Sequence, residues 1–341
     1  MKTKISDFTA SLGKFFNDYL ILQRNASRNT VLAYRDAFVS FLTFLKDIKG
    51  YDINSFYMKE LTSSLVREFL NWLESSKGNS VSTRNHRLAA IHSFVRFCQI
   101  NHPEAMTELN RILLIPRKKK PKTTISYLAV ESIKLILQQP DLNKPRGRRD
   151  AVLLSTLYET GARVQEIINL KIRNLQLQGE NPYLLLLGKG NKYRRIPVSA
   201  TLKNNLDGYI VENKLDKHIN TESPLFFNSR REPLSRVGIA YIINKYATMA
   251  RKSDSSIPEH INCHIFRHSR AVHLLNAGNS LIVIRDFLGH VDVKTTQIYA
   301  QVEMEAKIKA VESVNIVPES TNAMLPDWRT MPDVMKMLNS L

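Results

Sequence analysis

The sequence predicts a mainly α-helical protein made of an N-terminal four-helix bundle and a C-terminal α+β domain with a small antiparallel β-sheet. Three observations lead to this fold class. Apolar residues recur at helical spacing through residues 8–99. A strongly basic stretch at 117–122 then interrupts the pattern. Beyond it, two strand-like runs flank a glycine-rich turn at 188–192, and the sequence around them is again helical in pattern.

Four helices are predicted in the N-terminal part of the chain. The first covers residues 8–22, and Ser27 is a suitable N-cap for the second. The third and fourth are predicted near 62–75 and 82–99, and each carries an apolar face. Short amphipathic helices of this kind bury their apolar faces against one another, so we predict a small helical bundle.

The basic stretch predicts a linker between two domains. Five cations surround Pro121, namely Arg117, Lys118, Lys119, Lys120 and Lys122. Charge at this density cannot be packed in a hydrophobic core. The predicted division is therefore a first domain at 1–116, a linker at 117–126, a second domain at 127–314 and a tail helix within 315–341.

Composition and net charge indicate which kind of molecule the protein binds. The 341 residues carry a formal net charge of +18 and the sequence pI is about 9.8. An excess of this size favours a polyanion such as nucleic acid. Two cysteines, Cys98 and Cys263, are too few for a disulfide framework. Neither a signal peptide nor a membrane-spanning run is found, so we expect a cytoplasmic protein without a membrane partner.

The second domain begins with a predicted helix at 127–139 and a basic turn at 146–149. An apolar helical face then runs to Gly161, which breaks the pattern. Arg163 opens a new turn, and Glu166 lies one turn further on, where its carboxylate can hold the arginine in place. An ordinary surface ion pair is the alternative interpretation of these two residues.

A cationic hairpin is predicted next. The run 183–198 contains two strand-like segments, and the turn between them carries Lys189. A lysine on such a hairpin can reach into a DNA groove and donate a proton to a leaving oxygen. Lys192 and Arg194 are better suited to phosphate contacts or to solvent.

The stretch 260–299 is the richest in chemistry. His264 and Arg267 are one helical turn apart, so their side chains project from the same face. A second apolar helix follows and ends at a Leu-Gly-His turn that contains His290. Tyr299 lies nine residues beyond that turn.

These residue types suit the attack of a phenol on a phosphodiester. Arginine offers a planar fork of donors that matches phosphate oxygens, and histidine can move a proton near neutral pH. Tyrosine can act as a covalent nucleophile once its proton is removed. The spacing of His260, His264 and His268 beside Cys263 also permits a metal site. That interpretation is the weaker one, because no His-Glu-x-x-His pattern accompanies these residues.

Together these motifs resemble the catalytic part of the tyrosine recombinases (phage integrase family), and among them the Xer-type enzymes. That family carries Arg, Lys, His-x-x-Arg, His or Trp, and Tyr in this order. The matching residues are Arg163, Lys189, His264, Arg267, His290 and Tyr299, with Glu166 in support. Ala162 and Phe266 stand where leucine is more usual, which affects packing and not chemistry. The stretches 27–34 and 82–97 resemble the family's SAM-like core-binding domain.

The resemblance implies a site-specific DNA recombinase. It would cleave and rejoin strands through a 3′-phosphotyrosyl intermediate and a Holliday junction, with no metal, ATP or other cofactor. The implied partners are double-stranded DNA with a specific recombination site, further copies of the chain in a homotetramer on two sites, and accessory proteins. Integration, excision, transposition of a mobile element and resolution of DNA all fit. The tail helix is expected to dock on a neighbouring subunit, as in several family members.

The cations of the fourth helix, the linker and the hairpin are the implied DNA contacts. They are Arg84, Arg87, Arg117, Lys118, Lys119, Lys120, Lys192 and Arg194. The cations of a helix, taken alone, are more often a solvated face. Two other functions stay open at this point: relaxation of DNA in the manner of a type IB topoisomerase, and DNA binding without catalysis.

Overall fold

The computed structural model of the chain describes residues 6–119, 126–188, 192–217 and 221–289, together with Tyr299 and Lys336. The chain divides into two compact units, 1–123 and 124–341. The predicted fold class is confirmed, because the described residues are mainly helical and include a small antiparallel sheet. None of the described helices is both long enough and apolar enough to cross a membrane.

Within residues 6–119, five α-helices form the first unit. They are α1 (Asp7–Lys14), α2 (Arg28–Thr43), α3 (Ser63–Ser75), α4 (Val81–Cys98) and α5 (Met106–Leu113). Helix α1 continues as a π-helical stretch over Phe15–Gln23, and α2 continues likewise over Phe44–Ile48. The four predicted helices are confirmed. Helix α5 was not predicted, because it is short and buries only two apolar side chains, Leu109 and Ile112.

Side-chain caps fix where the helices of the first unit begin. Ser27 caps α2, as predicted, by accepting a hydrogen bond from the backbone N–H of Thr30 at 3.3 Å. Ser80 caps α4 in the same way, with 3.2 Å to the N–H of Thr83. Each such cap satisfies a backbone donor that the first helical turn leaves without a partner.

Helix α4 lies at the centre of the first unit's core. The ring of Phe94 has its centroid 5.5 Å from that of Phe8, 5.4 Å from that of Phe15 and 5.2 Å from that of Phe38. All four side chains are buried, and the ring pairs meet edge to face. This arrangement favours aromatic pairs beyond the gain from burial alone. The core therefore joins α1, α2 and α4.

The described helices of the second unit form a second core. They are α6 (Val130–Leu137), α7 (Pro145–Thr160), α8 (Val164–Ile168), α9 (Ala200–Glu212), α10 (Arg236–Ala250), α11 (His264–Asn276) and α12 (Leu281–Leu288). Buried side chains from α6 to α11 form one apolar cluster. Helix α11 crosses both this cluster and a smaller one that it shares with α12. It therefore brings side chains from many parts of the chain together.

The predicted basic turn at 146–149 is wrong, because these residues form the first turns of α7. Pro145 occupies the first helical position, where its fixed φ favours helix initiation. Gly147 belongs in this helix because a Cβ there would lie 1.9 Å from the carbonyl oxygen of Asp141. The glycine that suggested a turn in the sequence is in fact a close-packing residue.

Three antiparallel strands form the sheet, in the order β1–β2–β3. They are β1 (Leu175–Gln176), β2 (Tyr183–Leu187) and β3 (Tyr193–Pro197). The two longer strands confirm the predicted hairpin, whereas the two-residue β1 is too short to give a periodic signal. Because side chains alternate across a strand, β3 buries Ile196 on one face and turns Arg195 to solvent on the other.

Candidate active site

The site begins where α7 ends. Gly161 closes the helix in a left-handed conformation, with φ of 56°, and a Cβ there would lie 3.0 Å from the Leu288 side chain. Both facts favour glycine over any residue with a side chain. The chain then turns directly into Arg163, the N-cap of α8. The glycine that the sequence marks as a break therefore ends α7 against Leu288 of α12, two residues before Arg163.

Glu166 is the centre of a buried ion-pair network. Its carboxylate is 4% exposed and accepts hydrogen bonds from the backbone N–H of Arg163 at 2.7 Å and from Arg163 Nη1 at 2.9 Å. Arg194 of β3 donates to the same carboxylate from Nη1 at 2.7 Å and Nη2 at 2.8 Å. Glu166 therefore holds two guanidinium groups at once, as the sequence predicts for one of them.

The ionisation of Glu166 follows from this network. Burial of the carboxyl group opposes ionisation, but the guanidinium of Arg194, followed by the Arg163 backbone and side chain, outweighs burial and lowers the pKa of Glu166. The carboxylate is therefore charged at neutral pH. Its charge in turn keeps the two arginines in fixed positions.

Arg194 is not in the solvent-facing position that was predicted for it. Besides its two bonds to Glu166, its Nε donates to the carbonyl oxygen of Phe287 at 3.2 Å, and the side chain is 12% exposed. A guanidinium that is bound on both edges and largely buried does not fit the predicted contact with DNA phosphate. The sequence could not reveal this, because 28 residues separate Arg194 from Glu166.

Arg267 is the most buried cation of the site. It projects from α11, is 4% exposed, and donates from Nη1 to the Gly161 carbonyl and from Nη2 to the Leu288 carbonyl, both at 2.7 Å. Burial, and after it the positive charges of Arg163 and Arg194, lower the pKa of Arg267 to about 9. The guanidinium is still cationic at neutral pH. Among the described residues, the two carbonyls use two of its five N–H groups, and the other three are left for an anion.

The C-terminal end of α12 is fitted around Arg194. Gly289 ends the helix with φ of 65°, and a Cβ at this position would lie 2.9 Å from Arg194 Cδ. Arg267 holds the preceding carbonyl, that of Leu288. Arg194 and Arg267 therefore both contact the C-terminal end of α12, after which the sequence continues to His290 and Tyr299.

His264 begins α11, one turn before Arg267. Its ring is still reached by solvent, and its backbone N–H donates to Asn262 Oδ1 at 2.9 Å. Partial desolvation, followed by the charges of Arg267 and Arg163, lowers the pKa of His264. Its imidazole is therefore neutral at physiological pH and lies on the same face of α11 as Arg267.

Tyr299 is enclosed in the smaller apolar cluster. Its side chain is 0% exposed and packs with residues of α11 and α12, namely Ala271, Val272, Leu275, Ile284 and Leu288. The phenol oxygen lies 2.7 Å from Nδ1 of His268. Burial raises the pKa of Tyr299 to about 12, although the charge of Arg267 opposes this. The phenol is therefore protonated in this state.

His268 is a residue to which the sequence assigns no role. The spacing of His260, His264 and His268 permits a metal site only as the weaker interpretation, and in the structure His268 contacts Tyr299. The rings of His264 and His268 have their centroids 6.3 Å apart. Among the described residues, the one set that approaches metal-ligand geometry is Asp7, His102 and Glu104 in the other unit. The signal available in the sequence is that His268 follows His264 by four residues, which places both side chains on one face of α11.

Three predicted residues lie outside the described ones: Lys189, His290 and Lys120. Gly188 and Lys192 on either side of the undescribed residues 189–191 are described, and the backbone N–H of Gly188 donates to the carbonyl of Lys192 at 2.9 Å across the base of the hairpin. The predicted tail helix at 315–341 also lies outside the described residues, apart from Lys336.

The predicted DNA contacts of the first unit divide into two groups. Arg84 is 6% exposed, and its Nη1 donates to Asn85 Oδ1 at 3.1 Å and to the Pro116 carbonyl at 3.3 Å. A side chain enclosed in this way does not fit a phosphate contact, and it holds the end of the unit against α4. Arg87 is half-buried and donates to the Ala33 carbonyl at 3.1 Å.

The other group is open to solvent. Arg117 and Lys119 are exposed, as is Lys192 of the second unit. Lys118 is also exposed, although its Nζ lies 2.6 Å from a carboxylate oxygen of Glu74. Glu74 is half-buried and also lies 3.8 Å from Arg84 Nε, but an ion pair made by an exposed lysine is weak and exchanges readily for other partners. The predictions for these four cations therefore stay predictions.

The sequence matches two family models. "Phage integrase family" matches residues 126–306, and "Phage integrase, N-terminal SAM-like domain" matches residues 14–99. Each match lies in one of the two compact units.

Relatives resemble the chain over most of its length. Tyrosine recombinase XerC of Bacillus subtilis is 32% identical over 295 residues, which cover 86% of this chain and 92% of that protein. A Sinorhizobium fredii protein named as a candidate integrase/recombinase, y4rC, is 33% identical over 341 residues, covering 99% of this chain and 100% of that protein.

Solved structures share the fold. The XerH site-specific recombinase bound to a palindromic difH substrate, in a post-cleavage complex, superposes with a TM-score of 0.66 at 21% identity. The match covers 85% of this chain and 81% of that one. A lambda integrase(75–356) dimer bound to a COC′ core site gives a TM-score of 0.59 at 17% identity, covering 84% and 96% of the two chains.

Proposed function

The chain belongs to the phage integrase family and is a tyrosine site-specific recombinase of the Xer type, and from this premise we propose that Tyr299 forms a covalent 3′-phosphotyrosyl link with DNA. The observation that carries the proposal is the convergence on α11. Arg267 binds the Gly161 carbonyl, two residues before Arg163, and Tyr299 packs against the same helix. Residues far apart in sequence thereby form one cationic site beside a phenol.

The proposed step is an in-line displacement at phosphorus. The phenol oxygen of Tyr299 bonds to phosphorus, and the bond from phosphorus to the 5′ oxygen breaks. Arg163 and Arg267 would bind the non-bridging oxygens and neutralise charge that grows on the phosphorane. Lys189 would protonate the leaving 5′ oxygen, and His290 would steady the transition state. His264 would assist proton transfer at the tyrosine.

Strand exchange follows from the reversal of this step. The phosphotyrosyl link keeps the energy of the phosphodiester, so the 5′-hydroxyl of a partner strand can attack it without an activated cofactor. Two such rounds exchange both strands through a Holliday junction. Integration, excision, transposition and resolution all use this sequence of steps.

Glu166 and Arg194 are proposed as positioning residues. Neither residue contacts the phosphate or the nucleophile in the proposed reaction. Glu166 holds the guanidinium of Arg163 in place, and Arg194 binds the same carboxylate and helps to neutralise its charge. A guanidinium that is already held in its binding geometry loses little freedom when phosphate arrives.

Access to the nucleophile requires a change in the environment of Tyr299. Its phenol is 0% exposed and hydrogen-bonded to His268. A phosphate cannot approach it in this state. We therefore propose that DNA binding or assembly opens the small cluster formed by α11 and α12, so that cleavage is coupled to formation of the complex.

Double-stranded DNA is the proposed substrate, and a homotetramer on two sites is the proposed assembly. The net charge of +18 and the exposed cations Arg117, Lys118, Lys119 and Lys192 support the first part. The XerH structure is bound to a difH substrate, and the lambda integrase structure is bound to a COC′ core site. We further propose that the tail at 315–341 docks on a neighbouring subunit, and that 117–126 links the two domains.

A covalent trapping assay tests the proposal. The protein is incubated in EDTA with labelled DNA fragments from around its own gene, and adducts are separated on denaturing gels. We expect an adduct that Tyr299→Phe abolishes and that Arg267→Ala reduces by about 100-fold or more. An adduct that persists in Tyr299→Phe would contradict the assignment of the nucleophile.

Two other functions are separated by related measurements. A type IB topoisomerase would relax supercoiled plasmid without a second site, whereas the proposed recombinase joins strands between two specific sites. A DNA-binding protein without catalysis would bind the same fragments and form no adduct, and Tyr299→Phe would leave it unaffected.

A further inference from the structure

We propose that His268 is the residue that takes the phenolic proton of Tyr299 as the tyrosine attacks phosphorus, and returns it when the strand is rejoined. The inference rests on the proposed function, because it needs Tyr299 as the nucleophile. It adds to the set of residues that the family motif assigns, since His268 is outside the Arg, Lys, His-x-x-Arg, His and Tyr pattern.

The contact that carries the inference is short and enclosed. The Tyr299 oxygen lies 2.7 Å from His268 Nδ1, and the two rings have their centroids 5.9 Å apart. Among the described residues, His268 is the hydrogen-bond partner of this phenol. A base must be within hydrogen-bond reach of the proton it removes, and His268 satisfies this condition before the cluster of α11 and α12 opens.

His264 is the other histidine of this helix face, and its geometry is less suitable. It begins α11 in contact with solvent, and the hydrogen bond of the Tyr299 phenol goes to His268, one turn further along. Its ring centroid is 6.3 Å from that of His268. His264 can therefore assist the proton transfer, as proposed above, whereas His268 is placed to accept the proton directly.

Both partners of this hydrogen bond are neutral at physiological pH. Burial, followed by the charges of His264 and Arg267, lowers the pKa of His268, so the imidazole is neutral at physiological pH. Burial raises the pKa of Tyr299 to about 12, so the phenol keeps its proton. Two tautomers of the neutral imidazole are compatible with this contact, and the proposal requires the one in which Tyr299 O–H donates to Nδ1 and the imidazole carries its own proton on Nε2.

The proton transfer must accompany bond formation, because the free phenol is a far weaker acid than the imidazolium it would create. As the Tyr299 oxygen bonds to phosphorus it loses electron density, and its proton passes to Nδ1. The 5′ oxygen leaves and takes a proton from a separate acid, for which Lys189 is proposed above. On rejoining, the imidazolium of His268 returns the proton to the departing phenolate, so the cycle leaves the enzyme unchanged.

Helix α11 supplies a matched control. His273 also contacts a tyrosine through Nδ1, with 2.9 Å to the Tyr158 oxygen, and its Nε2 lies 2.9 Å from the Leu128 carbonyl oxygen. Tyr158 has no role in the proposed chemistry. His273→Asn therefore removes a histidine–tyrosine contact of the same kind from the same helix without removing a base from the reaction.

The first experiment measures the rate of covalent adduct formation for wild type, His268→Asn and His273→Asn, on the DNA fragment that wild type cleaves. Asparagine can still accept a hydrogen bond from Tyr299 but cannot take its proton. We expect His268→Asn to slow adduct formation by about 100-fold or more. His273→Asn should stay near the wild-type rate once the folded fraction is equal.

A second experiment changes the acidity of the nucleophile and decides whether His268 acts as a base or only in packing. Replacing Tyr299 with 3,5-difluorotyrosine lowers the phenol pKa and reduces the need for a base. If His268 is the base, the fluorinated residue should restore most of the rate that His268→Asn loses. An equal loss with both nucleophiles would assign His268 a packing role and overturn the inference, as would faster cleavage by His268→Asn.

A measurement without DNA separates the two proposals. Nitrogen NMR of ¹⁵N-histidine-labelled protein, with His268→Asn for assignment, reports which ring nitrogen of His268 carries the proton. We expect a proton on Nε2 and none on Nδ1. A proton on Nδ1 would overturn the inference even if wild type forms the adduct, whereas failure of wild type to form any adduct would count against the proposed function alone.

Discussion

At the scale of single residues, the site depends on charges that are fixed before DNA arrives. Glu166 is the one carboxylate that we place in the machinery, and three donors from two arginine side chains and one from the backbone converge on it. The sequence predicted its pairing with Arg163, because one helical turn brings the two together. It could not predict Arg194 or His268, because their partners come from distant parts of the chain.

Replacing Glu166 tests this network. Glu166→Gln keeps the shape of the side chain but leaves the guanidinium of Arg194 buried without a counter-charge. We expect a loss of about 3 kcal/mol in the free energy of unfolding and a clear reduction in adduct formation at temperatures where the variant is folded. Urea unfolding and the trapping assay measure the two effects.

Glu212 supplies the control for that variant. Its carboxylate also binds an arginine, Arg148, through Nε and Nη2, but this pair is on the surface. Glu212→Gln should therefore have a much smaller effect on unfolding and none on cleavage. Equal losses for the two variants would show that the Glu166 network has no special role.

At the scale of elements, helix periodicity predicted most helices and the longer strands, and Gly161 and Gly289 were recognised as helix ends. What the sequence could not show is why those ends must be glycine. Each one meets a side chain from a different element, Leu288 in the first case and Arg194 in the second. Such requirements arise from tertiary packing, as does the helical placement of 146–149 that the glycine at 147 obscured.

Gly289→Ala tests whether the end of α12 is fitted to Arg194. Both Gly289 and Gly278 have positive φ, 65° and 88°, but a Cβ at Gly278 meets nothing within 4 Å. The conformational cost, about 1–2 kcal/mol, should therefore be common to both alanine variants. Only Gly289→Ala should also displace Arg194 and slow adduct formation.

The comparison is made by urea unfolding and by the trapping assay under conditions where both variants are folded. A cleavage defect of the same size in Gly278→Ala would contradict the proposed link between Gly289 and the site. Normal cleavage by Gly289→Ala would contradict it as well.

At the scale of the whole molecule, charge and length predicted a nucleic-acid partner and two domains, and the family models match one region in each compact unit. The exposed cations could not be separated from the buried ones by sequence alone. Arg84 and Lys119 look alike as members of basic stretches, yet one is enclosed and the other is open to solvent.

This division predicts a difference in salt dependence. If Arg117 and Lys119 bind DNA phosphates, replacing both with alanine should reduce the slope of log K against log salt by about 0.9 for each phosphate that is no longer neutralised. Lys59, an exposed lysine of the same unit that we do not assign to DNA, is the control and should leave the slope unchanged. Fluorescence anisotropy over a range of salt concentrations measures these slopes, and an unchanged slope in the double variant would contradict the assignment.

Acid should destabilise the second unit. Burial is the first cause that lowers the pKa of His264, His268 and His273 below the ordinary 6.5. The unfolded chain therefore binds protons at a higher pH than the folded chain does. The stabilisation is complete above about pH 6.5 and is lost as pH falls towards the lowered values.

Melting temperatures measured at pH values between about 7.5 and 5 report this loss of stability. The dependence on pH should become shallower in His273→Asn, which removes one of the three titrating groups. A melting temperature that rises on acidification through this window would contradict the lowered pKa of these histidines.

The central claim is that Tyr299 carries the DNA through its 3′ phosphate. The most direct test is to digest the trapped adduct with protease and nuclease and to sequence the nucleotide-linked peptide by mass spectrometry, while the free DNA end is examined for its chemistry. We predict that the nucleotide is bonded to Tyr299 and that the released strand ends in a 5′-hydroxyl. A nucleotide on any other residue, or a strand released with a free 3′-hydroxyl, would contradict the account.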